Sequence, residues 1–101
     1  MKRIINGKKY DTGPAPPVCH YSYSNTGDFR HVRKTLYRKK TGEFFIHGRG
    51  GPASEFAEQI EQNTWCGGER IIAITDDMAR EFAEKYATVE EYEEIFGEVA
   101  E

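Results

Sequence analysis

Residues 31 to 47 hold two runs rich in β-branched and aromatic side chains, separated by Lys40-Thr41-Gly42-Glu43. Alternation with a period of two belongs to strands. A glycine at the third turn position suits the left-handed site of a type I turn closed by a G1 bulge. Segment 32–47 is therefore predicted to be an antiparallel hairpin, with Lys40 beside Glu43 across the ladder.

The flanking segments are read against this hairpin. Ile4-Ile5 and Lys8-Lys9-Tyr10 surround Asn6-Gly7, the favoured pair for a two-residue turn, and predict a second small hairpin. Gly13-Pro14-Ala15-Pro16-Pro17 is a stiff connector, because its prolines lock φ and lack amide donors. Residues 18–23 read as a short strand, followed by turn chemistry at 24–28. Glycines at 48, 50 and 51 break the hairpin's second strand. Pro52 then suits the first turn of a helix over 53–61, with Phe56, Ala57 and Ile60 as its apolar stripe. Residues 63–68 read as a loop and 70–74 as a strand. Thr75 is a good N-cap, with Asp76 and Asp77 in the first turn of a helix carrying Ala79, Phe82, Ala83 and Tyr86 at helical spacing. Thr88-Val89-Glu90-Glu91 is a capping box that opens a last helix, with Val89, Tyr92, Phe96 and Val99 on one stripe. The order implies an α+β fold: a single small domain, 1–101, whose antiparallel β-sheet is covered on one face by about three short helices.

Composition agrees with a packed core. Of 101 residues 38% are hydrophobic, 31% charged and 13% aromatic, which argues against long disorder and against collagen-like or coiled-coil forms. No apolar run approaches the roughly 18 residues of a spanning helix, and the start turns polar too soon for a secretory leader. A cytoplasmic protein with no membrane partner is expected. The net charge of −3 conceals a division. Residues 1–52 carry eleven bases against three acids, a net of +8, and residues 53–101 carry three bases against fourteen acids, a net of −11. A basic β-rich half can hold phosphates, and an acidic helix-rich half can fill a cationic groove on another protein. Mutual neutralisation where the halves meet is the plainer alternative.

Candidate chemistry is sparse. Cys19 and Cys66 are two cysteines in a chain without a secretory leader, a setting that favours free thiols. Cys19, His20, His31, His47 and Cys66 are all metal-ligand types, yet no C-x₂-C or H-x₃-H pair preorganises them. His47 with Cys66 is the one conceivable nucleophile pair, and packing thiol with strand-end imidazole is the favoured reading. Neither glycine cluster is followed by Lys-Ser/Thr, which excludes a P-loop. The chain is read as a non-enzyme with no cofactor and no metal. Two surfaces remain. The hairpin gathers Arg30, Arg33, Lys34, Tyr37, Arg38, Lys39 and Lys40, where aromatics could stack bases and cations hold phosphates. The last helix gathers Glu90, Glu91, Glu93, Glu94 and Glu98, carboxylates that can stand in for backbone phosphates, with Glu91 and Glu94 expected to be exposed.

Several stretches also carry a family resemblance. Ile4-Ile5-Asn6-Gly7-Lys8-Lys9-Tyr10-Asp11-Thr12, Tyr21-Ser22-Tyr23-Ser24-Asn25 with Gly27-Asp28-Phe29, residues 36–45, Gly67-Gly68-Glu69 and the terminal Glu91-Tyr92-Glu93-Glu94-Ile95-Phe96-Gly97-Glu98 together span most of the chain. In these the chain resembles a family of small proteins from Firmicutes phages and mobile elements, similar to some anti-CRISPR inhibitors of type II effector nucleases. The resemblance implies a protein that binds and inhibits a host defence nuclease, a CRISPR effector, through acidic surfaces. The proline-rich connector and Cys19-His20 depart from the pattern, so the resemblance lends those two residues no role. Direct nucleic-acid binding by the basic hairpin is the alternative.

Overall fold

The computed structural model describes residues 1–25 and 27–100. In chain order they form β1 (Lys2–Ile5), β2 (Lys8–Asp11), β3 (Pro17–Tyr23), β4 (Val32–Arg38), β5 (Phe44–Gly50), β6 (Glu58–Glu61), β7 (Thr64–Cys66), β8 (Gly68–Ile74), α1 (Asp76–Tyr86) and α2 (Val89–Phe96). The main sheet is antiparallel with order β3-β4-β5-β8, and β1-β2 and β6-β7 are separate two-stranded ribbons. The α+β class is as expected, although the sheet dominates and two helices, not three, accompany it.

The β4–β5 hairpin forms as its turn predicts. Gly42 has φ +95°, where a side chain would be strained, and its amide donates to the Lys39 carbonyl while Lys39 N–H donates to Glu43 O. Glu43 takes Lys39 Nζ at 3.1 Å and Lys8 Nζ at 2.9 Å. The expected Lys40 partner is thus replaced by Lys39 and by a lysine from the other hairpin, since Lys40 projects from the turn itself. Asn6 and Gly7, with φ 52° and 77°, close β1–β2.

Strand alternation divides the core in two. On one face Val18, Cys19, Leu36 and Phe44 meet Ala79, Phe82 and Ala83 of α1, with Tyr92, Ile95 and Phe96 of α2 packed against them. On the other, Tyr10 and Ala15 cover Phe45 and Ile71. Leu36 and Phe45, neighbours across the sheet's two faces, are both 0% exposed. The sheet is therefore covered on both faces, by helices on one and by the β1–β2 ribbon with the proline connector on part of the other.

Segment 53–66 departs furthest from expectation. Residues 52–56 are turns, and β6 and β7 replace the predicted helix and loop. The Ser54 hydroxyl donates to Gly51 O at 2.8 Å and accepts from Phe56 N–H, a local bonding mode that competes with helix formation. Phe56 leaves the chain direction a helix would take and drops onto Gly48, where a Cβ would lie 2.1 Å from its Cζ. The ring is 2% exposed and sits between Lys34 and Arg70, the register partners of Gly48 on either side. Both helix N-caps form as expected, Thr75 accepting from Met78 N–H and Thr88 with Glu91 completing a capping box. Val89 and Val99 are exposed, because α2 packs through Tyr92, Ile95 and Phe96 and ends at Gly97.

Candidate anion-binding face

The seven bases and aromatics of the hairpin do not make one surface, since alternate residues of β4 face opposite ways. Lys34 and Arg38 turn to the helical face. Lys34 bonds Glu55 at 2.6 Å and lies beside the Phe56 ring, and Arg38 lies 5.8 Å from the Phe44 ring, with its Nε buried and unbonded among the described residues. Arg30 stays with Asp28 in the preceding loop. Lys39 lies 4.3 Å from the centre of the Tyr10 ring and holds Glu43, and Lys40 is exposed in the turn. Of the original set, Arg33 and Tyr37 line the central open face of the sheet, and Lys39 follows them in the same row toward the turn.

There they meet residues the sequence reading had not joined to them. The ladder sets Arg33 directly opposite Arg49, with Ser22 on the other side of Arg33. The next row on the same face is His20, Thr35 and His47. Arg33, Arg49, His20, Thr35, His47 and Tyr37 line a concavity of about 410 Å³, with Glu91 at its edge. Its neighbour, about 380 Å³, shares Arg33 and Arg49 and adds Ser22, Ser24, Asn25 and His31. Both arginines are exposed, and neither has an ion-pair partner among the described residues. Like charges directly opposite on neighbouring strands repel, and Glu69, which the ladder sets opposite Arg49 on β8, offsets part of that repulsion. Two acids border the site, Glu69 opposite Arg49 on β8 and Glu91 at the edge of the central concavity, and each also holds a hydrogen bond of its own. Glu69 Oε2 is 2.9 Å from His47 Nε2, and Glu91 Oε1 accepts from Thr88 N–H at 2.8 Å. The pair was within reach of the sequence: a ladder closed at residues 39–43 and extended past His47 puts 49 opposite 33.

No protein-family model, curated protein or solved structure matches this chain.

The acidic set also separates. Glu90, Glu94 and Glu98 are exposed, whereas Glu91 and Glu93 are half-buried and bonded to backbone, Glu91 to Thr88 N–H and Glu93 to Val99 N–H. The expected exposure of Glu91 fails because the capping box pulls its carboxylate back along the helix. Cys19 is 4% exposed in the helical core, and burial, with a smaller contribution from the Glu91 charge, pushes its thiol up to about 11. Cys66 is on β7, paired with Glu58, while His47 gives its Nε2 to Glu69. Among the described residues no three His, Cys, Asp or Glu side chains gather as a metal site, and no helix is long and apolar enough to cross a membrane.

Proposed function

We propose that this is a non-enzymatic nucleic-acid-binding protein, which holds a phosphate backbone against the open face of its sheet. The opposed Arg33–Arg49 pair carries the reading. Two guanidiniums side by side offer forked donors to phosphate oxygens, and a phosphate held between them offsets their mutual repulsion. Hydroxyl, amide and imidazole groups around them are the usual supplementary phosphate and sugar contacts. The deciding measurement is anisotropy of a labelled oligonucleotide over a salt series, with Arg49→Glu beside the wild type. The variant should bind at least tenfold more weakly, with a salt slope shallower by about one. It should melt close to wild type, because the new carboxylate faces Arg33 on one side and Glu69 on the other, so an attraction gained is offset by a repulsion gained. Equal affinity in the two proteins overturns the proposal.

A second reading rests on the helical layer. Glu90, Glu94 and Glu98 point to solvent without ion-pair partners among the described residues, on the layer opposite the basic face. Together with the resemblance to mobile-element proteins, this supports a partner with a cationic channel, a type II CRISPR effector nuclease that the protein inhibits by filling it. Glu90→Lys with Glu94→Lys should then abolish inhibition of such a nuclease while Arg49→Glu leaves it intact, and the reverse pattern refutes this reading. Glu91 is unsuitable for the test because its loss also uncaps α2.

A further inference from the structure

Where the β1–β2 ribbon and the proline connector cover the turn end of this face, a third cavity opens beside them. Lys9, Lys39, Lys40 and Thr41 surround a floor of Pro14 and Ala15, enclosing about 250 Å³. Its place relative to the arginines follows from packing. Arg33, Thr35 and Tyr37 succeed one another along the open face of β4. Lys39 continues that row, since its ammonium lies on the Tyr10 ring, which packs edge-on against Phe45 on the same face. Three basic or polar stations thus follow the line of β4: the cavity beside Ser22 and Asn25, the Arg33–Arg49 centre with its histidines, and the lysine cavity. From residue 33 to residue 39 this is roughly 20 Å of extended chain.

We propose that the occupant is a single strand of nucleic acid, laid extended along β4 with phosphates at these stations. This rests on the nucleic-acid reading above and narrows it. Width argues for one strand. The lane is flanked by Glu69 on the β8 side and by Glu91 beside β3, so a polyanion is confined to about the breadth of β3 to β5, near 10 Å. The phosphates of a second strand would lie against those carboxylates. Surface shape agrees, because duplex readers insert a helix or ribbon into a groove and this face is concave. Tyr37 supplies a stacking platform. One side of its ring stacks on Phe45 at 5.1 Å and 10°, and the ring also borders the central cavity, where an unpaired base can lie on it. Asp11 also lines the lysine cavity, its Oδ1 accepting from Gly13 N–H at 2.9 Å, and its single charge is outnumbered there by Lys9, Lys39 and Lys40.

The test uses the whole chain and labelled oligothymidylate and oligouridylate of about 4 to about 16 nucleotides, with a duplex of the same length as the longest. Single strands should bind at least tenfold tighter than the duplex, with affinity rising until the strand spans the lane. Lys9→Glu should weaken long strands severalfold and leave the shortest unaffected, whereas Arg49→Glu should weaken all. Both residues are exposed, and thermal melting of each variant establishes that it is folded. The two sugars distinguish RNA from DNA as the source of the strand. A duplex bound as tightly as single strands, and weakened by Arg49→Glu, overturns the single-strand inference and leaves the phosphate-backbone reading standing. Binding of neither overturns both.

Discussion

Gly48→Ala tests the packing that most distinguishes this fold from its sequence. The added Cβ would lie 2.1, 2.5 and 2.9 Å from three carbons of the Phe56 ring, which is held from the sides by Lys34 and Arg70. No small adjustment relieves a clash at the ring itself, so the ring has to leave. Exposing a buried phenylalanine costs about 1.5–3 kcal/mol, and replacing a strand glycine by alanine returns about 0.5–1 kcal/mol of chain entropy. The net loss is about 0.5–2.5 kcal/mol, a fall in melting temperature of roughly 2–20 °C for a domain of this size. Phe56→Ala alone should cost more, about 3–5 kcal/mol, by leaving a cavity. In the Phe56→Ala background the clash is gone, so Gly48→Ala should turn neutral or stabilising, giving a coupling of about 2 kcal/mol in a double-mutant cycle. Thermal and urea melts of the four proteins measure it. If Gly48→Ala costs as much without the ring as with it, the close approach is not what Gly48 serves. His47 and Arg49 face the other side of β5, so oligonucleotide binding should survive the substitution.

Two further outcomes follow from the titrating groups. Under an alkylating reagent at neutral pH, Cys66 should react first and Cys19 should lag by orders of magnitude, being 4% exposed with its thiol pushed up to about 11; two equivalents consumed at one rate would contradict the core assignment. Hydrogen bonds from Lys8 and Lys39 bring Glu43 down to about 2 from an ordinary 4.5, so its stabilising effect is complete above that ordinary value and disappears as pH falls toward 2. Acid melts of wild type and Glu43→Gln should therefore differ at neutral pH and converge below pH 2, by a modest amount because the pair is largely open to solvent and screened by salt.

Local chemistry was legible where a few neighbouring residues decide the outcome. Asn6-Gly7 and Gly42 close their hairpins because few other residues adopt those backbone angles, and Thr75 and the Thr88–Glu91 box satisfy helix amides within one turn. Period-two alternation also separates Arg33 and Tyr37 from Lys34 and Arg38 without any coordinates. The hairpin's bases therefore divide between two faces, and the ladder runs on past His47 to bring Arg49 opposite Arg33.

Segment 53–66 shows the opposite case. The alanines and glutamates of residues 53–61, with Pro52 ahead of them, are compatible with a helix. The decision came from Gly48, which leaves a hole on the sheet that only Phe56 fills, and a residue eight positions away cannot announce such a fit. The same holds for the candidate site. Sequence determined which β4 and β5 side chains share a face, because pleating is a property of the backbone. Tertiary structure decided that α1 and α2 close one face while the β1–β2 ribbon covers only part of the other, leaving Arg33 and Arg49 opposed and uncovered, because coverage depends on which apolar surfaces find each other across the whole chain.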